Sequence, residues 1–260
     1  MPNSKKRLIN INISTGKYSS FIKELLEMAA SGDSMYVCVA NVHMLIEAQR
    51  DKAFEAIINN AYMVTPDGMP LSWSLDMIYG VKQDRVAGMD LLPDLLQASA
   101  ETNLPVFFYG GSQNMLDKTE IFCKTTFPDL KIAGMYSPPF RPLTAEEEEE
   151  NIYRINKSGA RFVFVILGCP KQEKWMASMY GKINACMIGV GGALPVMIGI
   201  QKRAPNWMQE GSLEWFYRFM QEPKRLFKRY ALTNTLFIYL VFKELANKRL
   251  NSGSNKNKKL

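Results

Sequence analysis

The sequence predicts an α/β layered domain built on a largely parallel sheet and continued by a basic helical C-terminal appendage. Three observations carry this. Apolar strand-like runs alternate with helical stripes up to about residue 200. Several runs are apolar at consecutive positions, as strands covered on both faces must be. After Pro205 the alternation stops and a basic, aromatic-rich helical segment takes over.

Taken in order, strand-like runs fall at residues 8–13, 35–40, 62–65, 106–109, 130–135, 162–167 and 185–190. Helices are expected between them. In residues 18–30, Phe21, Ile22, Leu25, Leu26, Met28 and Ala29 form a near-helical stripe. Further helices are expected over 44–59, 90–101, 113–126, 145–157 and 172–180. The acidic run Glu146–Glu150 follows Thr144, a good N-cap, so it reads as a first turn complementing the helix dipole rather than as a metal cluster. Strand–helix alternation of this kind predicts a Rossmann-like layered arrangement.

At 260 residues, 47% hydrophobic and 22% charged, the chain suits one good-sized domain with an appendage. The expected division is an α/β core over 1–199, a basic amphipathic appendage over 200–251 and a disordered tail over 252–260. Charge is uneven. From Ile200 onward there are 13 Lys/Arg against 4 Asp/Glu, a net +9, while the preceding residues carry a net −2. Such a tail suits an anionic partner or serves only solubility. Cys38, Cys123, Cys169 and Cys186 are widely spaced, without a C-x-x-C pair, and read as reduced thiols of a cytosolic protein. The basic start lacks a long apolar stretch, and residues 236–242 are too short to span a bilayer, so a cytoplasmic location is expected.

In an open parallel sheet, ligands bind beyond the C-terminal strand ends. Five strand ends carry polar or glycine turns: Asn41–His43, Asp67–Gly68, Gly110–Ser112, Gly168–Glu173 and Gly191–Ala193. Together they favour a nucleotide-type ligand, since such turns let backbone N–H groups approach phosphates. Neither G-x-G-x-x-G nor G-x-x-x-x-G-K-[ST] is present, which counts against a nicotinamide-dependent oxidoreductase and a kinase.

Asp67, between Pro66 and Gly68, has two readings. It could act as a general base facing the cleft, or cap the helix beginning near Met69. His43 is the sole histidine, and no metal cluster is evident, so no metal or other cofactor is expected. In the tail, Arg218, Arg225 and Arg229 would share one helical face if Pro223 permitted, opposite Trp215, Phe216, Phe219, Leu226 and Phe227. That suits a membrane interface or a diphosphate pocket, or simply packing against the core. Nucleic acid is disfavoured as a partner, because the core is slightly acidic and shows no recognised module.

The segments Ala40–His43, Val64–Pro70, Arg85–Gly88, Gly110–Gly111, Gly168–Glu173, Gly189–Gly192 and Arg203–Pro205 occur in an order that closely resembles the WecG/TagA/CpsF glycosyltransferase family. So does the closing run with Glu214, Trp215, Arg218 and Gln221–Arg225. The resemblance implies a metal-free, inverting transfer of a sugar from a UDP-sugar donor to a polyprenyl-diphosphate-linked sugar. N-acetylmannosamine is the first expectation and a glucose-type sugar the second. It implies that Asp67 is the base, that Asn41 and Arg85 line the pocket, and that Gly110, Gly111, Gln172, Gly191 and Gly192 border the donor cleft. Arg218 and Arg225, with Arg229 or Lys228 as the next basic position, would clamp the acceptor diphosphate. The site would then close against an anionic membrane surface, on the inner face of the cell membrane. A non-catalytic scaffold would keep the basic tail but would not need Asp67 together with the glycine turns. Self-association into a homo-oligomer stays open.

Overall fold

A computed structural model of the chain describes residues 4–205, 207–208, 213–221 and 223–256. Within its last two helices the side chains of residues 218, 224–226, 228–231 and 249–256 lie outside the described set.

The chain forms β1 (Ser4–Leu8), β2 (Ile11–Thr15), α1 (Tyr18–Ser31), β3 (Met35–Ala40), α2 (Val42–Arg50), α3 (Lys52–Asn60), β4 (Met63–Pro66) and α4 (Met69–Tyr79). It continues through α5 (Gly88–Glu101), β5 (Val106–Gly110), α6 (Gln113–Thr126), β6 (Ile132–Tyr136), α7 (Ala145–Ser158), β7 (Phe162–Ile166), α8 (Lys171–Met179) and β8 (Cys186–Gly189). A 3-10 turn (Gly191–Ala193), the short α9 (Leu194–Met197) and two tail helices, Glu214–Gln221 and Pro223–Lys256, follow.

Six strands form one parallel sheet in the order β4-β3-β8-β7-β5-β6. Side chains alternate between two apolar layers, as a strand's period of two requires. Tyr36, Cys38 and Ala40 of β3 face one layer with α2, α3 and α8, whereas Met35, Val37 and Val39 face the other with α1, α5 and α6. This is the predicted Rossmann-like layered domain. Burial pushes the Cys38 and Cys186 thiols well above the usual range.

Two expected elements differ. The run over 8–13 is not one strand of the main sheet but part of an antiparallel hairpin, β1–β2, that turns at Ile9-Asn10. Ile9 takes φ 58, unusual for a β-branched residue, and its N–H donates to the Glu244 carboxylate at 2.8 Å. A partner distant in sequence thus stabilises a turn that local patterning disfavours. The hairpin also shields the edge strand β4, whose Val64 N–H donates to the Ser14 hydroxyl at 3.2 Å. The helix expected over 44–59 is two, because Asp51 adopts an extended conformation and caps the second. Its carboxylate accepts from the Ala53 and Phe54 N–H groups at 3.0 and 3.1 Å. The Thr144 cap of α7 forms as expected, with Glu147 closing a capping box.

The tail docks on the core. Phe237 and Val241 of the last helix are buried in the layer that holds α2 and α4, and the Lys248 ammonium donates to the Ile78 carbonyl. This helix begins at Pro223 and runs to Lys256, taking in the first part of the 252–260 segment. Residues 257–260 lie outside the described set.

Candidate active site

Because every strand of the main sheet is parallel, all six C-terminal ends share one edge. Along it lie Asp67 after β4, Asn41 after β3, Gly191 and Gly192 after β8, Gly168 and Gln172 after β7, then Gly110 and Gly111 after β5. At about 4.8 Å per strand, Gly110 and Gly111 stand roughly 19 Å from Asp67. The structure therefore gathers Asn41, Asp67 and Arg85 at one end, Gln172, Gly191 and Gly192 in the middle, and Gly110 and Gly111 towards the other.

Backbone bonds knit the first group. The Asp67 N–H donates to the Ala40 carbonyl at 2.7 Å, setting Asp67 beside Asn41. The Val86 N–H donates to the Pro66 carbonyl at 2.9 Å, bringing Arg85 beside Asp67. The loop bearing Arg85 is braced from behind. The Gln83 amide pairs both ways with the Gly16 backbone at 2.9 Å, and the Asp84 carboxylate accepts from the Tyr18 N–H at 2.9 Å. Asp67 is not the N-cap residue of α4. Gly68, at φ 98, holds the N-cap position of α4, with no side-chain cap bond. Asn41 does cap a helix: its Oδ1 accepts from the Met44 N–H at 3.1 Å. Its amide Nδ2 keeps its donor capacity. His43 sits in the first turn of α2, 3.8 Å from the Glu47 carboxylate.

Arg85 belongs to a ring of four alternating charges. One guanidinium nitrogen donates to Asp90 at 2.6 Å and another to Glu214. Arg203 in turn donates to the other Asp90 oxygen and lies 3.8 Å from Glu214. Burial works against the Arg85 charge, but Glu214 and Asp90 outweigh it, with a contribution from Asp67, so its pKa is raised. The ring ties the start of the first tail helix to the acidic end of the cleft. Asp90→Ala removes the carboxylate that both arginines share and is expected to cost about 1–3 kcal/mol in urea denaturation. A loss below about 0.5 kcal/mol would mean that the ring adds no more than exposed pairs do.

The glycine turns pack closely. A Cβ on Gly110 (φ 105) would lie 2.7 Å from the Ile166 carbonyl oxygen. The Gly111 N–H donates to that same carbonyl at 2.9 Å, and the Ser112 hydroxyl caps α6 behind it. Gln172 is buried at 5% exposure, and its Oε1 accepts from the Gly168 N–H at 3.1 Å. It thus lies beneath the turns rather than facing solvent. Gly192 is exposed.

The face expected to carry Arg218, Arg225 and Arg229 is split. Arg218 lies in helix Glu214–Gln221, and the other two lie in helix Pro223–Lys256. Pro223 opens the second of these helices, a position where its missing N–H costs no intrahelical bond. The side chains of all three, and of Lys228, lie outside the described residues. Nearby Trp207, Trp215, Phe216, Met220 and Phe227 are exposed. Among the described residues, no three His, Cys, Asp or Glu side chains group as a metal site would require.

A family model described as "Glycosyl transferase WecG/TagA/CpsF family" matches residues 6–251. The chain belongs to the WecG/TagA/CpsF glycosyltransferase family. Two relatives carry the name N-acetylglucosaminyldiphosphoundecaprenol N-acetyl-beta-D-mannosaminyltransferase. The one from Bacillus spizizenii is 32% identical over 192 residues, covering 73% of this chain and 72% of the relative. The one from Bacillus subtilis is 30% identical over 222 residues, covering 82% and 81%. The family resemblance carried by the ordered motifs is thus correct, and the protein is a glycosyltransferase rather than an oxidoreductase or a scaffold. Nothing in the sequence alone assigns site roles to Asp90, Arg203, Glu214 or Glu173. Arg203, Glu214 and Glu173 were visible only as letters of the family motifs. Asp90 looks like an ordinary first-turn acid, and nothing in the sequence signals the ring it closes.

Proposed function

We propose that this family member transfers N-acetylmannosamine from its UDP-activated form to N-acetylglucosamine carried on a polyprenyl diphosphate, inverting configuration at C1. The step would serve assembly of a cell-surface polysaccharide or teichoic acid. The observation that carries the substrate assignment is the activity for which the two Bacillus relatives are named, and they align with most of this chain.

In this reading the acceptor hydroxyl oxygen bonds to C1 as the C1–O bond to UDP breaks, and UDP leaves with the electron pair. Asp67 takes the hydroxyl proton, since an un-ionised sugar hydroxyl is a poor nucleophile. Arg85 beside it, the helix N-termini and the backbone of the glycine turns stabilise the charge that develops on the diphosphate. Arg218, Arg225 and Arg229 supply forked donors for the acceptor diphosphate. Transfer is accordingly expected to persist in EDTA. Loss of activity on chelation, restored by magnesium or manganese, would refute a mechanism carried by protein groups alone.

The protein works as a peripheral protein on the inner face of the membrane. The net +9 of the tail and its exposed aromatic residues support contact with anionic lipid. No described helix is long and apolar enough to cross a membrane. A panel of UDP-sugars offered with one short-chain lipid-diphosphate N-acetylglucosamine tests the donor. Preference for UDP-N-acetylmannosamine is expected, and preference for a glucose-type donor would overturn that part of the reading.

A further inference from the structure

A buried acid lies under the ligand edge in a place that packing does not require. Glu173, in the first turn of α8, is fully buried at 0% exposure. Its Oε1 accepts from the Gln172 Nε2 at 2.8 Å. Burial pushes its pKa up, opposed by the Gln172 amide and by Cys169. A buried carboxyl is costly, and an apolar side chain of equal size would fill the space more cheaply.

The local geometry explains why an acid is kept. The Gln172 amide has a donor end and an acceptor end, and both are assigned. Nε2 meets Glu173, and Oε1 meets the Gly168 N–H of the β7 turn at 3.1 Å. The Gly168 N–H can only donate, so it fixes which way round the amide sits and leaves Nε2 to meet the Glu173 oxygen. That amide lies directly against the β8 turn. A Cβ on Gly189 would stand 2.7 Å from Nε2, and one on Gly191 would stand 2.8 Å from Oε1 and 3.4 Å from the Gly168 Cα. One oriented amide therefore bridges the turns of two adjacent strands at the centre of the edge.

We propose that Glu173 is a positioning residue which, through the Gln172 amide, locks the β7 and β8 turns together in the shape that receives the diphosphate of the nucleotide donor. The proposal rests on the donor reading given above. Glu173 touches no substrate and acts only through Gln172.

Calorimetry with UDP and hydrogen exchange of the two turns test it in the full-length protein. E173M is expected to weaken UDP binding about tenfold, the scale of one lost hydrogen bond to a charged group. It should also speed amide exchange at Gly168 and Gly191, with an unchanged or higher melting temperature. E173Q keeps an acceptor oxygen and should recover most of the binding. Q172M cuts the same link from the other side, and the double variant should be no worse than either single one. Should E173M fail to fold, Q172M and E173Q still decide the matter. UDP affinity within twofold of wild type in folded E173M or Q172M would overturn the proposal, as would multiplying effects in the double variant. If the wild-type protein bound no UDP, the donor reading would fall. The exchange measurement would then decide the lock by itself, with unchanged rates in E173M counting against it.

Discussion

Asp67→Asn is expected to slow sugar transfer roughly 10²–10⁴-fold, the scale of a lost general base. The substitution keeps size and shape but removes the ability to take the acceptor proton. The carboxamide also keeps an oxygen acceptor, and the backbone that places the residue is untouched. Asp67 is held by its own N–H to the Ala40 carbonyl, and its neighbour Pro66 by a bond from Val86; neither bond uses the carboxylate. The N-cap position of α4 falls to Gly68, not to Asp67. UDP affinity and melting temperature should therefore stay close to wild type while the rate collapses. A folded variant with near-normal turnover would remove Asp67 from the chemistry.

Removing the chain from Gly199 onward is expected to abolish transfer and release the protein from anionic vesicles. Basic residues near such a surface each contribute about 1 kcal/mol, so the net +9 of this segment can hold the protein there. The structure adds a cost. Truncation uncovers the core face that Phe237 and Val241 bury, worth about 1.5–3 kcal/mol for each side chain, and takes the Glu244 carboxylate from the Ile9 turn. It also opens the charge ring at Arg203 and Glu214. Loss of stability would thus accompany loss of function, so point variants are needed to separate them. Arg218→Ala or Arg225→Ala should cripple turnover with only a modest fall in vesicle binding and little change in melting temperature. Full-rate transfer by the truncated protein would make the tail a passive extension.

What could be read in the sequence followed from local pattern. Strands such as Met35–Ala40 are apolar at every position because both faces are covered, and that burial is visible residue by residue. The Thr144 capping box and the strand-end turns were legible for the same reason. Features that depend on partners distant in sequence were not. Ile9 gives no sign of a left-handed turn until Glu244, in the last helix, comes to meet its N–H. Asp51 looks like any helical acid until its extended backbone makes it a cap. The resemblance points to Gln172 as a residue bordering the donor cleft, but its burial beneath the glycine turns depends on the packing of Gly189 and Gly191. The ring of Arg85, Asp90, Arg203 and Glu214 joins three separate segments, and no spacing announces it.

The most direct measurement mixes purified full-length protein with UDP-N-acetylmannosamine and a short-chain polyprenyl-diphosphate N-acetylglucosamine, then follows the lipid by mass spectrometry. The expected product is a lipid-linked disaccharide joined by an inverted linkage, formed one for one with released UDP and only when both substrates are present. Unchanged acceptor lipid, or UDP released at the same rate without it, would contradict the account.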